Sequence, residues 1–375
     1  MKVLITTGIF PPEIGGPATF IERLAADLVD AGFNVCVLTY GSPIKKERSF
    51  CLKNVSKKWP AFWRHCLFAL KTFWLARQSD IVYTTDLYSP GYFSMLAVKF
   101  WRKKLVVRFA GDSAWETALN LGLTDDDILI FQKKQYTPFI EKIKARRAKI
   151  VRSADKIVAV SEFIKNLAII IGAKEEKIEV IYNAVDFLDK LPARQKPNRP
   201  ILVTACRLVP WKGVDMLIRV VAKLKQKYPA IIFEILGDGP ELPKIKELSR
   251  RLNLDENIKF RGRVSEEESH NIFASSTIFV LNTNYEGFPH SVLNAMRCGL
   301  PVITTPVGGN LELIKNNENG LLVNYNDETA WEKTIERLLN NEDLQAQFRQ
   351  NGQKTLEKFK WSKLVEKTIA IFRTL

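Results

Sequence analysis

The feature that most restricts the fold is the stretch 285–312, YEGFPHSVLNAMRCGLPVITTPVGGNLE. An apolar run at 276–281 feeds a Glu-Gly-Phe-Pro turn, a helical pattern follows at 291–297, and Cys-Gly-Leu-Pro stops it. A second buried strand at 302–304 then runs into Gly308 and Gly309 and another helix start. Two consecutive strand–turn–helix units suit a parallel sheet whose strand ends carry glycine-rich turns along one edge. Unpaired N–H groups and helix dipoles at such an edge attract anions.

The same pattern recurs along the chain. A strand at 2–6, a helix at 18–31 and a strand at 33–39 make a first βαβ unit, whose loop contains Pro11, Pro12, Gly15 and Gly16. Paired glycines let backbone amides approach a phosphate or sugar closely, although a tight turn alone accounts for them equally well. Further on, a strand at 201–206 ends in Arg207 and Leu208, followed by Trp211, Lys212, Gly213 and a helix. Cations placed where a strand gives way to a helix are positioned to reach a bound phosphate. Next come a strand at 231–236 closed by Gly237, and the segment KFRGRV at 259–264, which contains Arg263 and Val264. A linker rich in Pro, Arg and Lys at 190–200 separates two halves, and 375 residues with 46% hydrophobic content suffice for two cored domains.

These segments together resemble the family 4 retaining glycosyltransferases of the GT-B fold, the glycosyltransferase group 1 type. The family pattern is Glu, Gly, Phe or similar, Pro, and a second Glu eight positions after the first; here Glu286, Gly287, Phe288 and Pro289 match and Asn294 stands at the second acid. Arg207-Leu208 with Lys212-Gly213, the segments at 154–161 and 178–186, and Phe359 with Trp361 extend the resemblance over nearly the whole chain. It implies an α/β protein with two Rossmann-like parallel-sheet domains facing across a cleft. The acceptor-side domain would be 1–190, joined by a returning C-terminal helix at 360–375, and the nucleotide-sugar domain 199–359.

The resemblance further implies transfer from a nucleotide sugar with retention of configuration, needing neither cofactor nor metal. Arg207, Lys212 and Glu286 would be catalytic, the cations on the leaving diphosphate and the acid on sugar hydroxyls. Donor contacts would come from Gly15, Gly16, Gly237, Arg263, Val264, Gly287, Phe288, Pro289, Asn294, Gly308 and Gly309. Asn294 keeps hydrogen bonding to ribose but without a carboxylate's charge. Ala110 falls where many relatives have a histidine, and Asp112 is either an acceptor-side group or a helix cap. A family member that binds nucleotide without turnover therefore stays open.

Composition bears on the partners. Lys and Arg number 56 against 41 acids, a net charge of +15, which calls for an anionic partner: a phosphorylated ligand, an acidic membrane face or nucleic acid. Nucleic acid has only the charge in its favour, and is not expected. Between Arg48 and Asp80 no acid occurs, while Lys57, Lys58, Arg64, Lys71 and Arg77 alternate with aromatic residues. From Pro60 on, Phe62, Trp63, Cys66, Leu67, Leu70, Phe73 and Trp74 form one helical stripe, with Arg64, Phe68, Lys71 and Leu75 on the opposite side. This is either a core helix with a solvated basic face or an interfacial membrane helix. Basic groups at 102–104 and 142–152 add to it, so the expected location is cytoplasmic, peripheral on the inner membrane face, near a glycan or lipid-linked acceptor.

Asp125, Asp126 and Asp127 contain a formal D-x-D, but follow Thr124 and precede an apolar helical pattern, so capping explains them better than metal. Five scattered cysteines with no C-x-x-C pair indicate neither a disulfide frame nor a zinc site. The N-terminal apolar run is short and ends in Pro11-Pro12, which reads as a strand rather than a signal peptide. No apolar run approaches the roughly 18 residues of a spanning helix.

Overall fold

The computed structural model describes residues 1–13, 16–42, 47–186 and 197–375. The chain divides into two compact units, Met1–Tyr182 with Ser362–Leu375, and Asn183–Trp361.

In the first unit the described residues form a seven-stranded parallel sheet: β1 (Lys2–Thr7), β2 (Asn34–Tyr40), β3 (Cys51–Val55), β4 (Ile81–Thr84), β5 (Lys104–Phe109), β6 (Lys156–Ala159) and β7 (Ile178–Val180), ordered 3-2-1-4-5-6-7. The central strands are almost wholly buried, as expected where helices cover both faces. β3 lacks that signature, since CLKNV is half polar and lies at the sheet edge, and its sequence gives no strand pattern.

Six helices of this unit matter below: α1 (Gly16–Asp30), α2 (Ala61–Arg77), α3 (Ser89–Trp101), α4 (Ser113–Asn120), α5 (Ile128–Lys133) and α6 (Pro138–Ser153). The last helix of the chain, Trp361–Arg373, also packs here: Phe372 is fully buried, with its ring 5.9 Å from Phe33 and 5.7 Å from Tyr83. The implied return of the C-terminal helix to the first domain is thus present.

In the second unit a six-stranded parallel sheet contains β8 (Ile201–Ala205), β9 (Ile232–Leu236), β10 (Ile258–Gly262), β11 (Ile278–Leu281), β12 (Val302–Thr304) and β13 (Leu321–Leu322), ordered 10-9-8-11-12-13. Its core includes Phe233, Ile303 and Trp331, against which the helix Val214–Leu224 buries Leu217, Ile218 and Val221. In both sheets the order reverses beside the first strand, so within each unit two loops diverge at the strand ends, those after β1 and β4 in the first and those after β8 and β11 in the second. Asn183 groups with the second unit rather than with the segment before it, because its amide donates to the Phe288 carbonyl at 2.8 Å and Val185 bridges to Lys360. Most of the sequence's linker, residues 187–196, lies outside the described residues.

α2 corrects one sequence expectation. The buried side holds Phe68, Thr72 and Ala76, while Phe62, Trp63, Leu70 and Trp74 are each more than half exposed. The wide apolar stripe is therefore the outer face, and the helix is not a core helix with a wet basic side. On this buried side Phe68 stacks 4.2 Å from Tyr40 of β2, and α2 meets α3 through rings, Phe68 beside Phe93 and Phe73 beside Phe100 and Trp101.

This inversion is measurable. Phe68→Ala is expected to cost about 3–5 kcal/mol in equilibrium urea unfolding, and Phe62→Ala no more than about 0.5 kcal/mol. The opposite ranking would put the stripe back in the core.

Candidate functional site

The site is assembled from loops at the C-terminal ends of adjacent strands of the second unit. After β8, exposed Arg207 leads through the short turn Pro210–Lys212 to Gly213, at φ +45°, and into the helix Val214–Leu224. A Cβ on Gly213 would stand 2.2 Å from the Asn282 amide nitrogen, so only glycine fits. That amide donates to the Gly213 carbonyl at 3.0 Å and to Asn326 Oδ1 at 2.8 Å, tying three loops together.

After β11 come Asn282 and Thr283, then the Glu-Gly-Phe-Pro turn. The largely buried Lys212 ammonium donates to Thr283 Oγ1 and the Tyr285 carbonyl, both at 3.3 Å, and forms an ion pair with Glu286. Two residues assigned to separate tasks in the sequence are therefore direct partners. All three ammonium donors have acceptors, which fixes the charge at the strand ends. Burial pushes the adjacent Cys206 thiol up to about 11, with Lys212 pulling it down and Glu286 pushing it up. Arg207 has no ion pair among the described residues.

The third turn follows β12. Gly308 has φ +50°, and the Gly309 N–H donates to the Glu286 carbonyl at 3.0 Å. A Cβ at Gly309 would lie 2.3 Å from the Gly287 carbonyl, so the two glycine turns interlock backbone to backbone. The helix beyond, Asn310–Leu313, has four residues, and the second helix N-terminus expected there is too short to add a substantial dipole. Phe288 is buried beside Phe359, ring centroids 5.1 Å apart, and Pro289 immediately precedes the helix His290–Arg297. Asn294 lies half-buried on that helix and makes no side-chain hydrogen bond among the described residues.

On the other side of β8, Gly237 at φ +129° passes so close to Cys206 that a Cβ would meet its carbonyl at 1.9 Å. Arg263, after β10, pairs with Asp238 at 3.3 Å, and Val264 follows it half-buried. Gly16 opens α1, while Gly15 falls outside the described residues. Sequence reasoning missed Asn183, Asn282, Thr283 and Asn326, which hold the loops. The available signal was polar Asn282 and Thr283 directly after the apolar run IFVL.

Of the two readings of Asp112, its contacts are those of the helix cap. Its carboxylate is fully buried, caps α4 by accepting from the Ala114 and Trp115 N–H groups at 2.9 and 3.3 Å, pairs with Arg147 of α6 and accepts from Gln132 at 2.9 Å. No carboxylate surface is left to meet a substrate. The three-aspartate run also works locally: Asp127 caps α5 at 2.7 Å, and the Lys134 hydrogen bond holds Asp126 below the usual carboxylate range. Among the described residues no group of three His, Cys, Asp or Glu side chains is arranged to hold a metal ion.

Comparison with known proteins gives consistent results. The family model for "Glycosyltransferase Family 4" matches residues 14–187, and that for "Glycosyl transferases group 1" matches 189–355. An uncharacterized glycosyltransferase of Methanocaldococcus jannaschii is 28% identical, over 97% of this chain and 96% of its own. A phosphatidylinositol N-acetylglucosaminyltransferase chain of Arabidopsis thaliana is 26% identical, over 84% of this chain and 70% of its own. Among solved structures, Anabaena HepE in complex with UDP and glucose superposes with a TM-score of 0.81 at 18% identity, covering 100% of both chains.

The two readings of Asp112 have different costs. Asp112→Ala leaves Arg147 buried without its partner and is expected to destabilise the protein by about 3–5 kcal/mol in denaturant unfolding. Unchanged stability with impaired acceptor use would restore the substrate-contact role.

Proposed function

Because this chain belongs to the family 4 glycosyltransferases of the GT-B fold, we propose that it transfers a sugar from a nucleotide-sugar donor to a glycan or lipid-linked acceptor, retaining anomeric configuration without a metal. The observation that carries this is the Lys212–Glu286 pair at the switch point between β8 and β11. As the anomeric carbon–oxygen bond breaks, its electron pair passes to the departing diphosphate. Lys212, already held by Thr283 and the Tyr285 carbonyl, presents a fixed cation to that charge, and exposed Arg207 at the same strand end adds a second. Glu286 shares its charge between Lys212 and the hydroxyls of the donor sugar, while backbone groups around Gly287, Phe288 and Pro289 orient the ring.

HepE is described with UDP and glucose, which supports a nucleotide-sugar donor here, and the Arabidopsis relative's name supports an acceptor on a lipid. The reaction then belongs to cell-surface polysaccharide or glycolipid synthesis at a membrane face in the cytoplasm. Among the described residues no helix is long and apolar enough to cross a membrane, so contact with lipid would be peripheral. Asn294 in place of a second acid favours one further reading, a nucleotide binder without turnover. A panel of nucleotide sugars scored for acceptor-dependent nucleotide release decides between them, and release with none of the donors would favour the binder.

Release is expected to survive chelators and to fall at least about tenfold in Arg207→Ala or Lys212→Ala, since a charge-assisted phosphate contact is worth roughly 1.5–3 kcal/mol. Abolition by chelator with rescue by a divalent metal would mean that the diphosphate is neutralised otherwise. Asn294→Glu is expected to tighten donor binding in calorimetry, because a carboxylate accepts ribose hydroxyls more strongly than an amide. Weaker binding would point to an altered donor.

A further inference from the structure

The outer face of α2 and α3 is the largest apolar feature that the fold leaves unexplained. Trp59, Phe62, Trp63, Leu70 and Trp74, with Phe100 of α3, are each more than half exposed. On α2, Trp63, Leu70 and Trp74 recur at helical spacing on the side opposite Phe68, Thr72 and Ala76, so their exposure is a consequence of helix orientation rather than of isolated surface residues. The rings are also set in place. Phe73 lies between the two helices with its ring 5.0 Å from Phe100 and 4.9 Å from Trp101, the Trp101 indole donates to the Phe73 carbonyl at 2.9 Å, and Phe62 and Trp63 meet edge to face at 5.5 Å. A contiguous apolar surface of this kind marks an interaction site.

Charge identifies the partner. Between residues 49 and 111 the only acids are Asp80 and Asp86, against Lys53, Lys57, Lys58, Arg64, Lys71, Arg77, Lys99 and the run 102–104. Asp80 is tied to the first strand, accepting from the Lys2 N–H at 2.8 Å, and Asp86 accepts from the Tyr88 N–H at 3.0 Å. Lys57 pairs with Glu13, but Lys58 and Arg102 are exposed with no ion pair among the described residues, and Arg77 lies 5.2 Å over the Trp101 ring with its charge at the rim. A second copy of the chain meeting this face about a two-fold axis would bring like charges together. An anionic bilayer satisfies both parts at once: headgroups meet the basic rim, and the aromatic rings enter the boundary with the acyl chains.

We infer that the α2–α3 face, centred on Phe62, Trp63, Leu70 and Trp74 and rimmed by Lys58, Arg64 and Lys71, is a preformed surface that inserts its aromatic side chains into an anionic membrane. The inference deepens the lipid-acceptor reading and rests on it for its purpose, since a protein seated this way meets an acceptor confined to two dimensions. The apolar anchor and the charges do separate jobs: the charges bring the protein to the surface, and the rings hold it when salt screens them.

The test is co-sedimentation of the full chain with phosphatidylcholine vesicles with and without phosphatidylglycerol, at low and high salt. The wild type is expected to bind only vesicles containing the anionic lipid at low salt and to retain part of that binding at high salt. The variant Phe62→Ser/Trp63→Ser/Leu70→Ser/Trp74→Ser, folded as judged by unfolding midpoint and UDP binding, is expected to bind at least about tenfold more weakly and to lose the salt-resistant part. Lys58→Gln/Arg64→Gln/Lys71→Gln is expected to weaken the initial, salt-sensitive capture. Equal binding of the aromatic variant and the wild type would overturn the proposal. So would a wild-type dimer in sedimentation equilibrium that the aromatic variant abolishes, with no vesicle binding; that outcome would assign the face to a second copy. Vesicle binding with no sugar transfer on any donor would sink the proposed reaction and leave this surface standing, whereas transfer to a soluble acceptor without vesicle binding would do the reverse.

Discussion

The strand-end loops of the second unit meet at one largely buried ion pair. Lys212 and Glu286 come from loops after β8 and β11, strands that are neighbours only because the sheet order reverses there. A lysine largely removed from water is costly unless its donors are matched, and three acceptors match them: a carboxylate, a hydroxyl and a carbonyl. Charge is thereby placed at the strand ends before any ligand arrives, which is the condition for electrostatic stabilisation without reorganisation during the reaction.

That pair holds only while the backbone around it stays closely packed. Gly237 and Gly309 admit neighbouring backbone, and Gly213 the Asn282 amide, at distances no Cβ tolerates, and Asn282 binds the Lys212 loop to the loop carrying Asn326. The glycines thus serve packing between loops as much as approach to a ligand. The first unit uses a comparable device on a different chemistry. Asp112 and Arg147 join the start of α4 to α6 through a fully buried contact, with Gln132 of α5 bonded to both.

The outer surface of the first unit follows from a packing choice inside it. α2 turns Phe68, Thr72 and Ala76 inward, with Phe68 stacked on Tyr40, and meets α3 through Phe73 against Phe100 and Trp101. Phe62, Trp63, Leu70 and Trp74 are left on the outer face. A surface of tryptophan and phenylalanine rimmed with lysine is thereby left outside the core, and it is the surface on which the proposed membrane contact rests.

By itself the sequence determined the parallel α/β architecture, the glycine turns and the presence of Arg207, Lys212 and Glu286 in the loops after β8 and β11, but not Asn282 and Thr283 at the end of β11. These are local signals: buried strands read as apolar runs, and special backbone conformations read as glycine. It did not reveal β3, whose half-polar edge sequence lacks alternation, nor that the helix after Gly309 ends within four residues. The Lys212–Glu286 partnership spans 74 positions and arises only when the crossover connections set β8 beside β11. The facing of α2 was likewise decided by tertiary structure. A hydrophobic stripe shows which side of a helix is more apolar, but burial goes to the side whose shape fits its neighbours, and in α2 that is the side of Phe68, Thr72 and Ala76.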